Sequence, residues 1–246
     1  MTTTASVADQ PPVSKEGAPR LLIVEDHPLF RAALVGVISA EFPDAEVLQA
    51  TSIDAALDLI AARDNPDLIL LDLSMPGTTG LLGAYRVRAA APRSALVIVS
   101  AHDDSRIVGS AIALGISGYI PKSTPKAELA QLLRGILGGD VSLPKRFPDA
   151  AAARKGQADT KDLLRHLGQM TAQQLRVLDM ICRGLQNKHI AYELDISVTT
   201  VKVHVSEILR KLDVRSRTEA IIALSKLDFG KQDHAAVTPP ARESGS

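Results

Sequence analysis

Five short apolar runs, each followed by a stretch of helical periodicity, constrain this chain more than any other feature. The runs are Leu21–Val24, Ala45–Leu48, Leu68–Leu71, Ala95–Val99 and Gly118–Ile120. The first, third and fourth are wholly apolar, as expected of parallel strands covered on both faces. The amphipathic stretches after them are Leu29–Ala40, Asp54–Arg63, Leu81–Ala90, Ser105–Leu114 and Lys126–Leu137. Parallel strands need crossover helices, so the repeated strand–helix unit predicts an α/β domain with a doubly wound five-stranded parallel sheet over residues 20–140. In such a sheet, the polar residues at the carboxyl ends of the strands converge on one edge. Here these are Glu25 and Asp26 after the first strand, Asp72 after the third, Ser100 after the fourth and Lys122 after the fifth.

Three carboxylates gathered at one edge repel by about 1–4 kcal/mol per pair at about 4 Å. Such a cluster needs a counter-charge, which Lys122 supplies. All-oxygen donors without sulfur or imidazole suit Mg²⁺. A single acid closing a strand before a turn is ordinary; the whole set at one edge favours a site.

At 246 residues the chain is long enough for two domains. Its 28 basic and 28 acidic residues cancel, yet the balance is uneven. Residues 20–140 carry 10 basic and 14 acidic side chains, residues 171–226 carry 9 and 6. An acidic half joined to a basic half suggests cation chemistry in one and a polyanion in the other. Cys182 is the only cysteine, which excludes an internal disulfide and a cysteine-based zinc site. Its apolar surroundings, Leu178 to Leu185, make it a packed thiol. No run of about 18 apolar residues and no signal-peptide pattern occurs, so no membrane partner and a cytoplasmic location are expected. Residues 1–19 and 228–246 read as disordered tails, and 141–169 as a linker with a short helix at Lys161–Leu167.

No strand signal follows the linker. Residues 170–227 predict four helices, placed by their start signals. Thr171, with Gln174 completing a capping box, opens Ala172–Arg183, and Gly184 stops it. Asn187 is read as the cap of Lys188–Leu194 and Ser197 as the cap of Val198–Val214. Ser216 with Glu219 forms a second box before Arg217–Leu227. A short helix, a turn through Asp195-Ile196-Ser197 and a longer helix outline a helix-turn-helix. On the longer one, Val201, Val205, Ile208 and Leu212 form an apolar stripe. Thr199, Lys202, Val203, Ser206 and Arg210 lie away from it, on a face that fits a DNA major groove.

Glu25-Asp26, Asp72 in Leu-Leu-Asp-Leu-Ser-Met-Pro, Ser100 in Val-Ile-Val-Ser-Ala and Lys122 in Gly-Tyr-Ile-Pro-Lys-Ser resemble the receiver domain of two-component response regulators, a flavodoxin-like fold. The resemblance implies that Asp72 accepts a phosphoryl group from a sensor histidine kinase. It implies Mg²⁺ held by Glu25, Asp26, Asp72 and the backbone carbonyl of Ser74. Ser100 would donate to the phosphoryl oxygens, Lys122 would pair with another, and Ser100 and Tyr119 would form the switch. Glu25 stands where aspartate is frequent, and Ser123 where many receivers carry proline.

Residues 170–227 are similar to the helix-turn-helix of the LuxR/NarL/FixJ class. The run Thr200-Val201-Lys202-Val203-His204 and the tail Arg210-Lys211-Leu212 through Val214-Arg215-Ser216-Arg217-Thr218-Glu219-Ala220 carry that likeness. It implies base contacts by Lys202 and Val203, with Lys188, Arg210 and Lys211 better placed on phosphates. It departs at Gln174 (usually glutamate), Val198 (commonly glutamate or proline) and Asp213 (commonly glycine). Ala220, Ile221, Leu224 and Leu227 form an apolar stripe on the last helix. Part of it packs on its own domain; Ala220, Ile221 and Leu224 are expected to serve a homodimer on promoter DNA. RNA polymerase is a further candidate partner.

The leading reading is a phosphorylation-controlled transcription factor rather than an enzyme. An aspartate-nucleophile phosphatase would carry Asp-x-Asp for leaving-group protonation, and position 74 is serine. A constitutive DNA-binding protein would not need the intact five-residue set. In the resting protein the acidic receiver is expected to cover the basic, dimer-forming surface.

Overall fold

The computed structural model describes residues 17–75, 80–101, 105–143 and 160–225. Apart from residues 17–19, the tails read from sequence lie outside these, as does Leu227. The first domain runs β1 (Arg20–Val24), α1 (Pro28–Glu41), β2 (Glu46–Ala50), α2 (Ile53–Ala62), β3 (Leu68–Asp72), α3 (Gly80–Ala90), β4 (Ala95–Ser100), α4 (Ser105–Ala113), β5 (Gly118–Pro121) and α5 (Lys126–Leu137). The strands pair in the order β2-β1-β3-β4-β5, all parallel. Of the three wholly apolar runs, the third and fourth become β3 and β4, each buried along its whole length. Fully burying one Leu, Ile or Val side chain contributes about 1.5–3 kcal/mol, so these strands anchor the fold.

Because strand side chains alternate, the sheet divides its core in two. Leu21, Ile23, Leu68, Leu70, Val97 and Ile120 point to the face covered by α1 and α5. Leu22, Val24, Ile69, Leu71, Leu96, Ile98 and Tyr119 point to the face covered by α2, α3 and α4. Edge strand β2 is only half-buried, starts one residue later than its apolar run, and uses Glu46 to accept from Arg20 Nε at 2.7 Å. The outer edge of β5 is extended by residues first read as linker: Tyr119 N donates to Ser142 O at 2.9 Å and Ser142 N to Ser117 O at 2.9 Å.

The second domain contains α6 (160–167), α7 (Ala172–Cys182), α8 (Asn187–Glu193), α9 (Val198–Lys211) and α10 (Arg217–Ser225). Thr171 and Gln174 close the expected capping box on α7, and Ser197 caps α9 through Thr200 N. Two start signals act differently from the reading above. The N-cap of α8 is Gln186, and the Asn187 side-chain Oδ1 accepts from Arg217 Nη1 at 3.2 Å instead. Ser216 does cap Glu219 N at 3.1 Å, but the Glu219 carboxylate reaches back to Arg215 N at 2.8 Å, one residue beyond the expected box. Helix α9 ends at Lys211 rather than Val214. Asp213 adopts φ 55°, and Val214 N donates to Leu209 O at 3.0 Å in a left-handed C-terminal cap. The core of this domain gathers Leu167, Val177, Leu178, Ile181, Ile190, Val201, Ile208, Ala220 and Leu224, with Cys182 packed among them.

Candidate functional site

Strand order 2-1-3 reverses direction between β1 and β3, which opens a crevice at their carboxyl ends. Glu25 and Asp26 follow β1, Asp72 ends β3, Ser100 ends β4 one residue beyond the Asp72–Val99 pair, and Lys122 follows β5. The five residues selected from sequence therefore reach one edge. Glu25 is 1% exposed and Asp72 2% exposed. Lys122 Nζ bridges them, 2.8 Å from Glu25 Oε2 and 2.9 Å from Asp72 Oδ2. It also lies 4.7 Å from the centre of the Phe30 ring, a cation–π contact. Burial alone would lower the Lys122 pKa. The hydrogen bonds and charges of Glu25 and Asp72 outweigh that and hold the ammonium above its ordinary value.

Two backbone N–H groups hold the acids, and an arginine side chain holds the main chain beside them. Ser74 N donates to Asp72 Oδ1 at 2.9 Å, His27 N donates to Glu25 Oε1 at 3.1 Å, and Arg31 Nη1 donates to the Glu25 carbonyl at 2.8 Å. The sequence reading missed His27. Its Nδ1 stands 3.1 Å from Asp26 Oδ1 and 3.2 Å from Glu25 Oε1. One atom each from Glu25, Asp26, His27 and Asp72 fits within 4.8 Å, the one such group among the described residues. The spacing of Glu25-Asp26-His27 at a strand end was its available signal. The three carboxylates suit a hard divalent cation. Tyr119, on edge strand β5, is buried in the core that α4 covers.

On α9, Thr199, Lys202, Val203, Ser206 and Arg210 are all exposed, opposite the buried Val201 and Ile208. Ser206 Oγ donates to the Lys202 carbonyl at 3.0 Å. Arg210 pairs with Glu207 at 2.8 Å, which raises the arginine's pKa and lowers the glutamate's. Lys188 is exposed on α8. Lys211 departs from the expected phosphate role: its ammonium turns inward, donating to the Gln169 carbonyl at 2.6 Å and Gln174 Oε1 at 2.7 Å. The glutamine that departs from the family pattern thus serves both the α7 cap and the end of α9. The expected dimer stripe also needs correction. Ala220 and Leu224 are wholly buried in their own domain and Ile221 is half-buried, whereas Ile222 is 57% exposed. Helix α10 turns those first residues toward α7 and α9.

A model described as response regulator receiver domain matches residues 21–134, and one described as bacterial regulatory proteins, luxR family, matches residues 168–224. The chain is 44% identical over 213 residues to the glycerol metabolism activator of Pseudomonas putida, spanning 85% of this chain and 96% of that one. It is 33% identical over 213 residues, with the same shares, to the nitrate/nitrite response regulator protein NarL of Escherichia coli. A solved LuxR-family two-component response regulator from an Aurantimonas species matches with a TM-score of 0.50 and 27% identity, covering 56% of this chain and 99% of that one.

Proposed function

The chain belongs to the LuxR family of response regulators, DNA-binding transcriptional regulators that join a receiver to a LuxR-type helix-turn-helix, and from that premise we propose how its own residues carry the signal. Asp72 is the phosphoacceptor, with a sensor histidine kinase as donor. The observation that carries this reading is the buried Asp72 carboxylate bonded to Lys122 at the β1/β3 crevice, with Glu25 and Asp26 beside it. Glu25, Asp26, Asp72 and the Ser74 carbonyl are the groups that would hold Mg²⁺. When bound, the ion offsets charge on the transferring phosphoryl group. Lys122 exchanges a carboxylate partner for a phosphoryl oxygen, and the Ser100 hydroxyl donates to another. Residue 74 is a serine, so no second carboxylate stands ready to protonate a leaving group, and turnover of phosphoesters is not proposed.

The output surface is the exposed face of α9. Lys202 and Val203 read bases, with Lys188, Thr199 and Arg210 on the phosphate backbone. Two copies bind together on promoter DNA through α10, and the protein works in the cytoplasm. Among the described residues no helix is long and apolar enough to cross a membrane.

Incubation with a small phosphodonor and Mg²⁺ tests the central claim. One acid- or base-labile phosphoryl group should form and be lost in Asp72→Asn. Full labelling of that variant would overturn the assignment.

A further inference from the structure

The surface between the two domains is built differently from either core. Arg86 on α3 is 5% exposed, and its partner Asp179 on α7 is 3% exposed. Arg86 Nη2 lies 2.6 Å from Asp54 Oδ1 on α2, and Arg86 Nη1 lies 3.8 Å from Asp179 Oδ2. Arg176, one turn before Asp179, places its Nε 3.8 Å from the same Asp54 oxygen. Each domain therefore contributes one arginine and one aspartate to a crossed set of charges. Beside them a cavity of about 570 Å³ is lined by Asp54, Tyr85, Arg86, Met170, Leu175 and Arg176. The interface therefore sets these charges beside an incompletely filled apolar joint, in which Tyr85, Leu163 and Leu164 pack against both cores.

Two further ties sit next to it. Thr160 Oγ1 at the start of described α6 donates to Ser110 Oγ on α4 at 2.8 Å, with both groups buried. Leu82 of α3 packs into the core of the second domain. The covered surface is α7. Lys202 and Val203 of α9 and Ile222 of α10 stay exposed while these contacts are made. That differs from the expectation that the receiver covers the DNA-facing, dimer-forming surface.

We infer that Arg86 and Asp179 form an interdomain latch that fixes the DNA-binding domain against α2 and α3 with its recognition helix uncovered, so that control acts on how the domains are held and not on access to α9. A buried charge parted from its partner must be rehydrated, which disfavours intermediate separations and gives the latch two discrete states. The latch rests on the structure; its link to output rests on the DNA-binding reading above.

The test uses the full-length protein with spin labels at Glu128→Cys on α5, across the sheet from α2 and α3, and Glu193→Cys on α8, both exposed positions. Pulsed electron resonance should give one narrow distance distribution for otherwise wild-type protein. Arg86→Gln and Asp179→Asn should each broaden it, the double variant should be no broader than either, and Arg86→Lys should retain more of the narrow component than Arg86→Gln. Unchanged distributions in both single variants would overturn the latch. In a second arm, a random-sequence duplex of about 12 base pairs has room for one recognition helix. Latch variants should bind it within about twofold of wild type. A gain of about fivefold or more, the scale of a released coupling, would mean that α9 had been covered and would overturn the uncovered arrangement. The distance arm needs no DNA, so failure of the latch and failure of the DNA-binding reading are distinguishable.

Discussion

Replacing Lys122 by methionine keeps the length of the side chain and removes the charge that holds the acidic crevice together. The ammonium lies 2.8 Å and 2.9 Å from two buried carboxylates. At an effective dielectric of about 20, each contact is a gross attraction of about 6 kcal/mol. The carboxylates lie within 4.8 Å of one another, a gross repulsion of about 3.5 kcal/mol per pair. Proton uptake and water entry relieve most of this, and removing one partner of a buried ion pair costs about 3–5 kcal/mol net. Lys122→Met should therefore lower the stability of the first domain by that amount at pH 7 without metal, measured by urea denaturation of the full chain. Asp72→Asn on the same background should restore part of the loss, because it removes one of the charges left unpaired. Mg²⁺ should stabilise the variant more than wild type, since it binds the folded cluster and not the dispersed acids. The raised Lys122 pKa sets the alkaline limit: the wild-type advantage is complete below the unfolded value of 10.5 and fades as pH rises through the higher folded value. A metal-free cost below about 1 kcal/mol, with no recovery by Asp72→Asn, refutes the argument.

Lys202→Ala should cost about 1–3 kcal/mol on a specific promoter site and little on random DNA, whereas Lys188→Ala should weaken both and flatten the salt slope by about 0.9. Equal losses for Lys202→Ala on both DNAs would remove its base-reading role. Ile222→Lys should reduce binding to a paired site about tenfold at unchanged melting temperature, while Ala220→Leu should lower stability by about 1–3 kcal/mol through overpacking; calorimetry and DNA titration separate the two effects. Asp213→Gly should stabilise the second domain by about 1 kcal/mol, because the left-handed backbone at φ 55° is strained for a residue with a Cβ; an unchanged or lower melting temperature refutes this.

The parts of the fold that were legible in sequence are those where local pattern and tertiary role agree. The runs at Leu68 and Ala95 are apolar because both faces are covered, and the acids at 25, 26 and 72 converge because parallel strands share a direction. What was hidden depends on partners distant in the chain. Asn187 looks like a cap until Arg217, 30 residues later, donates to its side-chain Oδ1. Lys211 looks like a phosphate ligand until Gln174, 37 residues earlier, accepts a hydrogen bond from its ammonium. Helix α7 did carry a readable signal. Its run from Gln174 to Cys182 includes apolar residues on more than one face, and all but Arg176 are buried, including Asp179. A helix buried on several sides is packed between two bodies, and here the second body is the receiver.

The fate of the basic residues near the exposed face of α9 bears on the proposal that two copies bind DNA together. Lys211 is held by two hydrogen bonds, and its backbone carbonyl meets His166 Nδ1 on α6 at 2.6 Å. Breaking that arrangement to reach a phosphate would loosen the joint between α6, α7 and α9. Arg210 is engaged differently: its pair with Glu207 is exposed and screened by solvent, so a charge-assisted phosphate contact can compete with it. It can change partner on DNA; Lys211 cannot do so without cost to the fold. On the proposed reading each DNA-binding domain brings Lys188, Lys202 and a recruitable Arg210, all exposed, with Asp213 exposed just beyond α9 as an opposing charge. Counterion release scales with the number of phosphates neutralised, so so few cations give one domain a shallow salt dependence and weak binding. On the proposed reading, a second copy doubles these contacts, with half-sites set by the geometry of α10, and so raises specific affinity.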